Sequence, residues 1–315
     1  MLLENAMSDL ILHHYPTSPF AEKIRLILGY KQLAWKSVLI PVIMPKPDVL
    51  ALTGGYRRTP LLQIGSDVYC DTALIADVLE RRAPTPSLFP HEQNGLVRTV
   101  AQWADSTLFW TAIGYAFQPA GLQAMFGKLP PEHLQAFGAD RAAMRGNAPR
   151  IAVAEATASL TEYIDRLDNM LTDGQPYLLG ALPTLADFSV YHPVWYVSRV
   201  PGLSVILERS PKLLAWLARM AAIGHGTAEK ISSIDAIDLC RNSTPLVLDQ
   251  AVIDLHGIAL GERVTITPTD YALDPVEGEL VLASVTELAV RRQDERAGTV
   301  TVHFPRNGYQ LKKSA

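Results

Sequence analysis

Tyr15-Pro16-Thr17-Ser18-Pro19-Phe20-Ala21-Glu22-Lys23-Ile24-Arg25 is the stretch on which the fold of this chain turns. Before it runs Asp9-Leu10-Ile11-Leu12-His13-His14, short and apolar enough for a buried strand. After it, Ile24, Ile27 and Leu28 recur at helical spacing, and Gly29 reads as the helix end. Ser18 falls where an N-cap belongs and Pro19 at the first helical position. Such a turn holds a hydroxyl at the positive end of a helix, where unpaired N–H groups favour an anion. Taken alone, it is simply a capped helix.

Working outward, a second strand is expected near residues 35–40, then an irregular stretch marked by Pro41, Pro45 and Pro47, and a loop at Gly54-Gly55. Residues 61–64 and 67–69 flank Gly65-Ser66 as a hairpin, and Leu74, Ile75, Val78 and Leu79 give the next helix its apolar face. Strand, helix, strand, hairpin and helix is the order of a thioredoxin-like α/β domain. Three prolines between Ala83 and Pro90 read as a linker. Helices are expected near residues 95–117, 131–144, 149–171, 185–199 and 211–223, giving an all-α second domain. From about Leu246 the pattern changes to period-two alternation, as in Val264/Ile266 and Val300/Val302/Phe304, broken by Gly, Asp and Pro. This tail reads as a small all-β, barrel-like domain, with an SH3-like barrel as the candidate type. The expected domains are residues 1–83, 91–232 and 246–315.

Composition narrows the function. A chain of 315 residues with 48% hydrophobic content has ample core for more than one domain. With 19% charged residues and a net charge of −4, nothing favours nucleic acid or a membrane surface as partner. Cys70 and Cys240 are too few for a disulfide framework and too far apart in sequence for a redox pair. The first ten residues carry Glu4 and Asp9 and no long apolar run, so no signal peptide is expected, and a cytoplasmic location is. His13 and His14, adjacent on a strand, point to opposite faces, and no metal centre is expected. Gly121…Gly127-Lys128 has one residue too many for a phosphate loop.

Arg57-Arg58-Thr59-Pro60-Leu61-Leu62-Gln63-Ile64 and Val68-Tyr69-Cys70-Asp71-Thr72-Ala73-Leu74-Ile75 complete a pattern with the Ser-Pro turn. Together they resemble the amino-terminal domain of cytosolic glutathione transferases. Ser18-Pro19-Phe20 followed by Arg25 is similar to the tau-class catalytic turn; the omega class carries Cys where Ser18 stands. Tyr177-Leu178-Leu179-Gly180 with Pro183-Thr184-Leu185-Ala186-Asp187 resembles the helix-nucleating signature of the family's helical domain. Trp103-Ala104-Asp105 resembles a tau-class tripeptide. The resemblance spans about residues 9–231 and leaves the tail outside it.

What the resemblance implies is glutathione as co-substrate and an electrophilic small molecule as its partner. Ser18 would be catalytic, with Tyr15 as the alternative or as a wall of the acceptor pocket. Phe20, Lys46, Arg58, Thr59, Pro60, Asp71 and Thr72 would bind glutathione. Thr59-Pro60 matches the family's cis-proline, whose neighbour pairs with the peptide backbone; Asp71-Thr72 matches the pair that holds the γ-glutamyl end; Lys46 and Arg58 (or Arg57) match the basic positions for the glycine carboxylate. Ser106 and Trp110 are candidates for the acceptor pocket. The family also implies a twofold homodimer. A transferase-fold binder without turnover, or a glutathione-dependent isomerase or dehalogenase, remains the alternative. The tail, in which His256 and His303 read as isolated, is expected to lean on the helical domain as a brace, or to serve as a lid.

Overall fold

The structure, a computed structural model, describes residues 9–172, 175–246 and 256–314. The reading of the first eight residues therefore lies outside the described residues, as does the stretch just after Leu246. The chain opens with β1 (Ile11–His14), α1 (Pro19–Tyr30), β2 (Ala34–Leu39), α2 (Pro47–Thr53), β3 (Leu61–Ile64), β4 (Asp67–Cys70) and α3 (Thr72–Arg82). β1 pairs parallel to β2 and antiparallel to β3, and β3 turns back through Gly65, at φ 62°, into β4. This is the thioredoxin-like domain. The stretch expected to be irregular ends in α2, because Pro47 occupies its first turn, where no N–H is needed, and left-handed Gly54 closes it.

Strand alternation sorts the apolar residues of this sheet between two cores. Leu12, Leu62, Ile64 and Tyr69 pack in one cluster with α1, α3 and the helical domain. Ile11, Leu61, Val68 and Cys70 belong to a second cluster. Successive side chains on a strand face opposite ways, so the sheet is covered on both sides. That is why these short strands carry apolar residues on both faces.

The helical domain contains α4 (Asn94–Trp103), a π-helical turn at Ala104–Leu108, α5 (Phe109–Ala116), α6 (Pro119–Phe126), α7 (Pro131–Arg145), α8 (Val153–Met170), α9 (Leu185–Ser198) and α10 (Pro211–Ala221). α9 is buried along most of its length. Its start is fixed by the expected capping box: the fully buried Asp187 accepts N–H bonds from Thr184 and Leu178, both at 2.9 Å, and from Trp216 Nε1 at 3.0 Å. α6 was not legible in the sequence, and neither were two elements after α10. There the chain returns to the first sheet as β5 (Thr227–Lys230), parallel to β2, and then forms α11 (Ser233–Arg241). Gly29 makes that return possible, since a Cβ there would lie 2.1 Å from the Gly224 carbonyl.

The tail forms β6 (Arg263–Pro268), β7 (Val276–Ala283), β8 (Glu287–Asp294), β9 (Gly298–Pro305) and β10 (Tyr309–Lys313), all paired antiparallel in the order β10-β6-β7-β8-β9. β9 and β10 sit at opposite ends of that order, about 19 Å apart in a flat sheet with strands about 4.8 Å apart. Only residues 306–308 connect them, a reach of about 14 Å. The five strands must therefore curl toward closure, and the Phe304 and Tyr309 rings lie 5.3 Å apart. The barrel-like reading of the tail holds.

Its attachment differs from expectation. β9 pairs parallel with β4, through Asp67↔Thr301, Val68↔Val302 and Tyr69↔His303, making one ten-stranded sheet. The second core is then shared: Ile11, Val49, Leu61 and Val68 pack with Val264, Leu288, Val302 and Phe304. The tail thus leans on the thioredoxin-like domain, because the edge of β4 offers unpaired backbone groups that a helical surface lacks. His303 is not isolated either. It is fully buried between Glu287 Oε1, 2.7 Å from Nδ1, and Asp67 Oδ1, 3.0 Å from Nε2, and it stacks on Tyr69.

Candidate active site between the two domains

The turn from β1 into α1 is built as the sequence suggested. Ser18 is extended, 2% exposed, and its Oγ accepts the Ala21 N–H at 3.2 Å. Arg25 braces the turn from the other side. It donates to the carbonyls of Tyr15 at 3.4 Å and Pro16 at 3.0 Å, and pairs with Glu22 at 2.6 Å. Burial, with Arg25 next, lowers the His14 pKa to about 3. His14 is then neutral, its Nδ1 accepting from Arg25 at 3.0 Å and its Nε2–H donating to Ser37 Oγ at 2.9 Å. Burial would raise the Glu22 carboxyl, but His225 and Arg25 reverse that and hold it below its ordinary range.

On the thioredoxin-like face, the Thr59–Pro60 bond is cis and Pro60 is buried. Lys46 donates to the Arg57 carbonyl at 3.3 Å and to Thr59 Oγ1 at 3.4 Å, and lies 5.7 Å from the Tyr15 ring centre. Burial first, then Arg141, lowers the Lys46 pKa to about 8. Asp71 adopts φ 74° and caps α3, accepting from the Ala73 N–H at 2.9 Å. Burial raises its carboxyl, and the Ala73 N–H and Arg58 oppose that rise. Thr72 Oγ1 accepts from Lys23 Nζ at 3.1 Å.

Lys23 belongs to a network the sequence did not reveal. Its ammonium pairs with Asp105 at 2.6 Å, and Asp105 Oδ1 meets His192 Nε2 at 3.0 Å. Burial would raise the Asp105 carboxyl, yet Lys23 and His192 bring it below its usual range. Burial keeps the His192 pKa low, so its Nε2–H donates to Asp105. Asp105 sits in the π-helical turn, a distortion frequent at functional sites. The signal available was the Trp-Ala-Asp tripeptide; nothing local tied Lys23 or His192 to it.

Toward the helical domain, the Phe20 ring lies 4.6 Å from Phe109 and 4.4 Å from His192. Trp110 is 39% exposed and meets Phe109 edge-on at 5.0 Å. Ser106 is exposed and donates to the Gln102 carbonyl at 2.6 Å, within its own helix. Phe20 and Trp110 therefore share one aromatic cluster, whereas Ser106 is not drawn into it.

Three tail residues also enter this cleft, and none was visible as a site residue. The Tyr271 ring lies 3.9 Å from the Arg58 guanidinium on one side and meets Trp110 edge-on at 5.1 Å on the other. Asp270 forms an ion pair with Arg58. Tyr309 donates to Asp71 Oδ2 at 3.2 Å and its hydroxyl meets that of Tyr56 at 3.1 Å. Burial, ahead of the nearby carboxylates, pushes the Tyr271 hydroxyl up to about 12. These contacts depend on how the barrel docks, which no local pattern encodes.

Among the described residues, no group of His, Cys, Asp and Glu is arranged to hold a metal ion. No helix is long and apolar enough to cross a membrane, again among the described residues. Residues 12–87 match the model of the glutathione S-transferase N-terminal domain, and residues 150–219 that of the C-terminal domain. No curated protein sequence matches the chain. A GST-like protein from Pseudomonas syringae is 42% identical over 98% of this chain and 100% of its own, with a TM-score of 0.83, so the tail is included in the match. The beta-etherase LigF from Sphingobium sp. strain SYK-6 is 20% identical, over 68% of this chain and 95% of its own, with a TM-score of 0.50. The tau class transferase of mango, Mangifera indica, is 16% identical, over 68% of this chain and 89% of its own, with a TM-score of 0.52. These last two show the shared fold. With its two matched domains and its full-length relative, the chain belongs to the glutathione S-transferase family.

Proposed function

We propose that this protein lays glutathione along the thioredoxin-like face and activates its thiol for attack on an electrophilic small molecule. The observation that carries this reading is the position of Ser18. Its Oγ already accepts the Ala21 N–H, so its own proton is free to be offered to a sulfur at the N-terminus of α1. A free thiol has a pKa of about 8.5, and lowering it by about two units takes roughly 2.7 kcal/mol in favour of the thiolate. One hydrogen bond to a charged sulfur, with a helix N-terminus behind it, is of that size. Ser in place of Cys assigns Ser18 the tau-like role of hydrogen-bond donor and removes the omega-type thiol transfer. Around it, Thr59 would pair with the cysteinyl backbone, Asp71 and Thr72 would hold the γ-glutamyl end, and Phe20 with Trp110 would border the acceptor.

Ser18→Ala is expected to keep glutathione binding, raise the apparent pKa of the bound thiol and slow conjugation. Thiolate absorbance against pH, measured beside turnover of a generic electrophile, checks it. Identical titrations and rates would pass the role to Tyr15. A second reading, a binder of the same fold without turnover, is favoured by the pairing of Arg58 with Asp270. Absence of turnover at full glutathione occupancy would support it. A glutathione-dependent isomerase or dehalogenase shares the site and differs in the acceptor. The proposed setting is a cytoplasmic twofold dimer, which a 34.5 kDa particle in light scattering would reject.

A further inference from the structure

The proposed glutathione site offers three basic side chains to a ligand carboxylate. Among the described residues the two arginines are ion-paired, and Lys46 meets only neutral acceptors. Lys46 donates to the Arg57 carbonyl and to Thr59. Arg57 pairs with Asp140 and with Asp274, each at 3.1 Å. Arg58 directs Nη2 to Asp270 Oδ1 and to the Tyr271 carbonyl, and Nη1 to Asp270 Oδ2 at 3.4 Å. The turn supplying these partners, between β6 and β7, is held in place by the Ala272 N–H, which donates to the Met144 carbonyl of α7 at 2.6 Å. The appended barrel thus reaches across the cleft and touches both transferase domains. The carboxylate of Asp270 approaches the guanidinium with both oxygens, the geometry in which Arg recognises a free carboxylate. Arg58 is 7% exposed, whereas the Asp270 side chain is 54% exposed. The cation is built in; its present partner sits at the rim.

We infer that Asp270 and Tyr271 determine which thiol this site selects. Asp270 keeps a carboxylate of the chain itself on Arg58, and Tyr271 closes the space between Arg58 and Trp110. The ligand is then recognised through its γ-glutamyl-cysteinyl part and gains nothing from an ion pair between its glycine carboxylate and Arg58. This rests on the reading that the site takes glutathione along the thioredoxin-like face. Its chemical consequence is specific: thiols with a blocked or absent C-terminal carboxylate bind as well as glutathione does.

Calorimetric titration with glutathione and with its glycyl monoethyl ester tests this on the full chain. Wild type is expected to bind acid and ester within about twofold of each other. Asp270→Asn and Asp270→Ala, at a half-exposed side chain whose loss leaves the core intact, are expected to favour the acid by about tenfold, the scale of one charge-assisted pair. Adding Arg58→Gln to either variant should erase that preference. A wild-type protein that already prefers the acid about tenfold, or Asp270 variants with an unchanged ratio, would overturn the inference while leaving glutathione as the ligand. If neither ligand binds the folded wild type or the variants at millimolar concentration, the glutathione reading itself falls, and this one with it.

Discussion

The barrel is attached to the rest of the molecule at two places of opposite character. Along β9 it is joined to β4 by backbone pairing, a shared apolar core and His303 buried between Asp67 and Glu287. At the β6–β7 turn it meets the site through the partly exposed carboxylates of Asp270 on Arg58 and Asp274 on Arg57, the Tyr271 ring between Arg58 and Trp110, and the Ala272 N–H on the Met144 carbonyl. A buried ion set is costly to break by removing one member, because the remaining charges stay buried. Asp270 is half-exposed, so water or another carboxylate can take its place on Arg58, whose guanidinium is itself buried and needs a partner. The first attachment is therefore permanent, whereas in the second the Asp270–Arg58 pair can exchange its anion while the Ala272–Met144 bond keeps the turn in place. This places the brace and the cleft contact in one small domain.

The harshest way to break the permanent side is to remove it. Deleting residues 256–314 leaves β4 as a bare edge and uncovers Val68, Leu61 and Ile11, which pack against the barrel. An uncovered apolar strand edge is a template for aggregation. The truncated chain is expected to be recovered in the insoluble fraction, and a soluble, monodisperse truncation in size-exclusion chromatography would show that the barrel is not structural.

A single substitution sharpens the point. His303→Leu leaves Asp67 and Glu287 buried without the cation between them, with Arg81 reaching only Glu287, at 3.7 Å. The expected loss is about 3–5 kcal/mol in denaturant unfolding. A change below about 1 kcal/mol, the size of an exposed pair, would make the two attachments equivalent.

Stability against pH separates the same side by sign. Burial opposes the charge on His303, but Asp67 and Glu287 outweigh burial, so its folded pKa is raised above 6.5. Its contribution is complete below pH 6.5 and is lost as pH rises through the folded value, with a slope of at most about 1.4 kcal/mol per pH unit. Burial lowers His13 to about 4 and His14 to about 3. These two act in the opposite sense: stability falls as pH drops from 6.5 through their folded values. Wild type is expected to lose stability on both sides of about pH 6.5, and His303→Leu to lose only the alkaline slope. An alkaline slope unchanged in the variant would remove His303 from the account.

The same contrast explains what could be read from the sequence. The Ser18 turn and the Thr184 capping box are local patterns, and each stands where expected; the cis Thr59–Pro60 bond was expected from the family resemblance alone. The barrel was legible because strand alternation is also local. β5 escaped notice because its four residues are all exposed and carry no alternation. Glu287 and His303 meet across the β8–β9 ladder, but Asp67, distant in sequence, joins them only through the parallel pairing of β4 with β9. Asp270 and Tyr271 read as turn residues until that docking sets them against Arg58. What the residues do alone was readable; what docking makes of them was not.

The smallest expected effect comes from placing one methyl group on each side of the comparison. At Gly278, on β7, an added Cβ would lie 2.7 Å from the Arg291 carbonyl and 2.9 Å from Val290 Cβ, both in the neighbouring strand. Neither atom can move without opening the ladder, so Gly278→Ala is expected to cost about 1–3 kcal/mol by overpacking. At Gly55 an added Cβ would lie 2.4 Å from the Pro275 carbonyl, at the end of the β6–β7 turn. Here the obstructing atom belongs to the segment that carries Asp270 and Tyr271. The turn is pinned by the Ala272 N–H on Met144 and by Asp274 on Arg57, so relieving the clash means displacing a backbone carbonyl next to β7. Gly55→Ala is therefore expected to cost about 1–3 kcal/mol and to move Tyr271 relative to Trp110, which tryptophan emission reads directly. A loss of that size with unchanged emission would mean that the turn is as rigid as the barrel wall and that Asp270 and Tyr271 do not exchange their contacts.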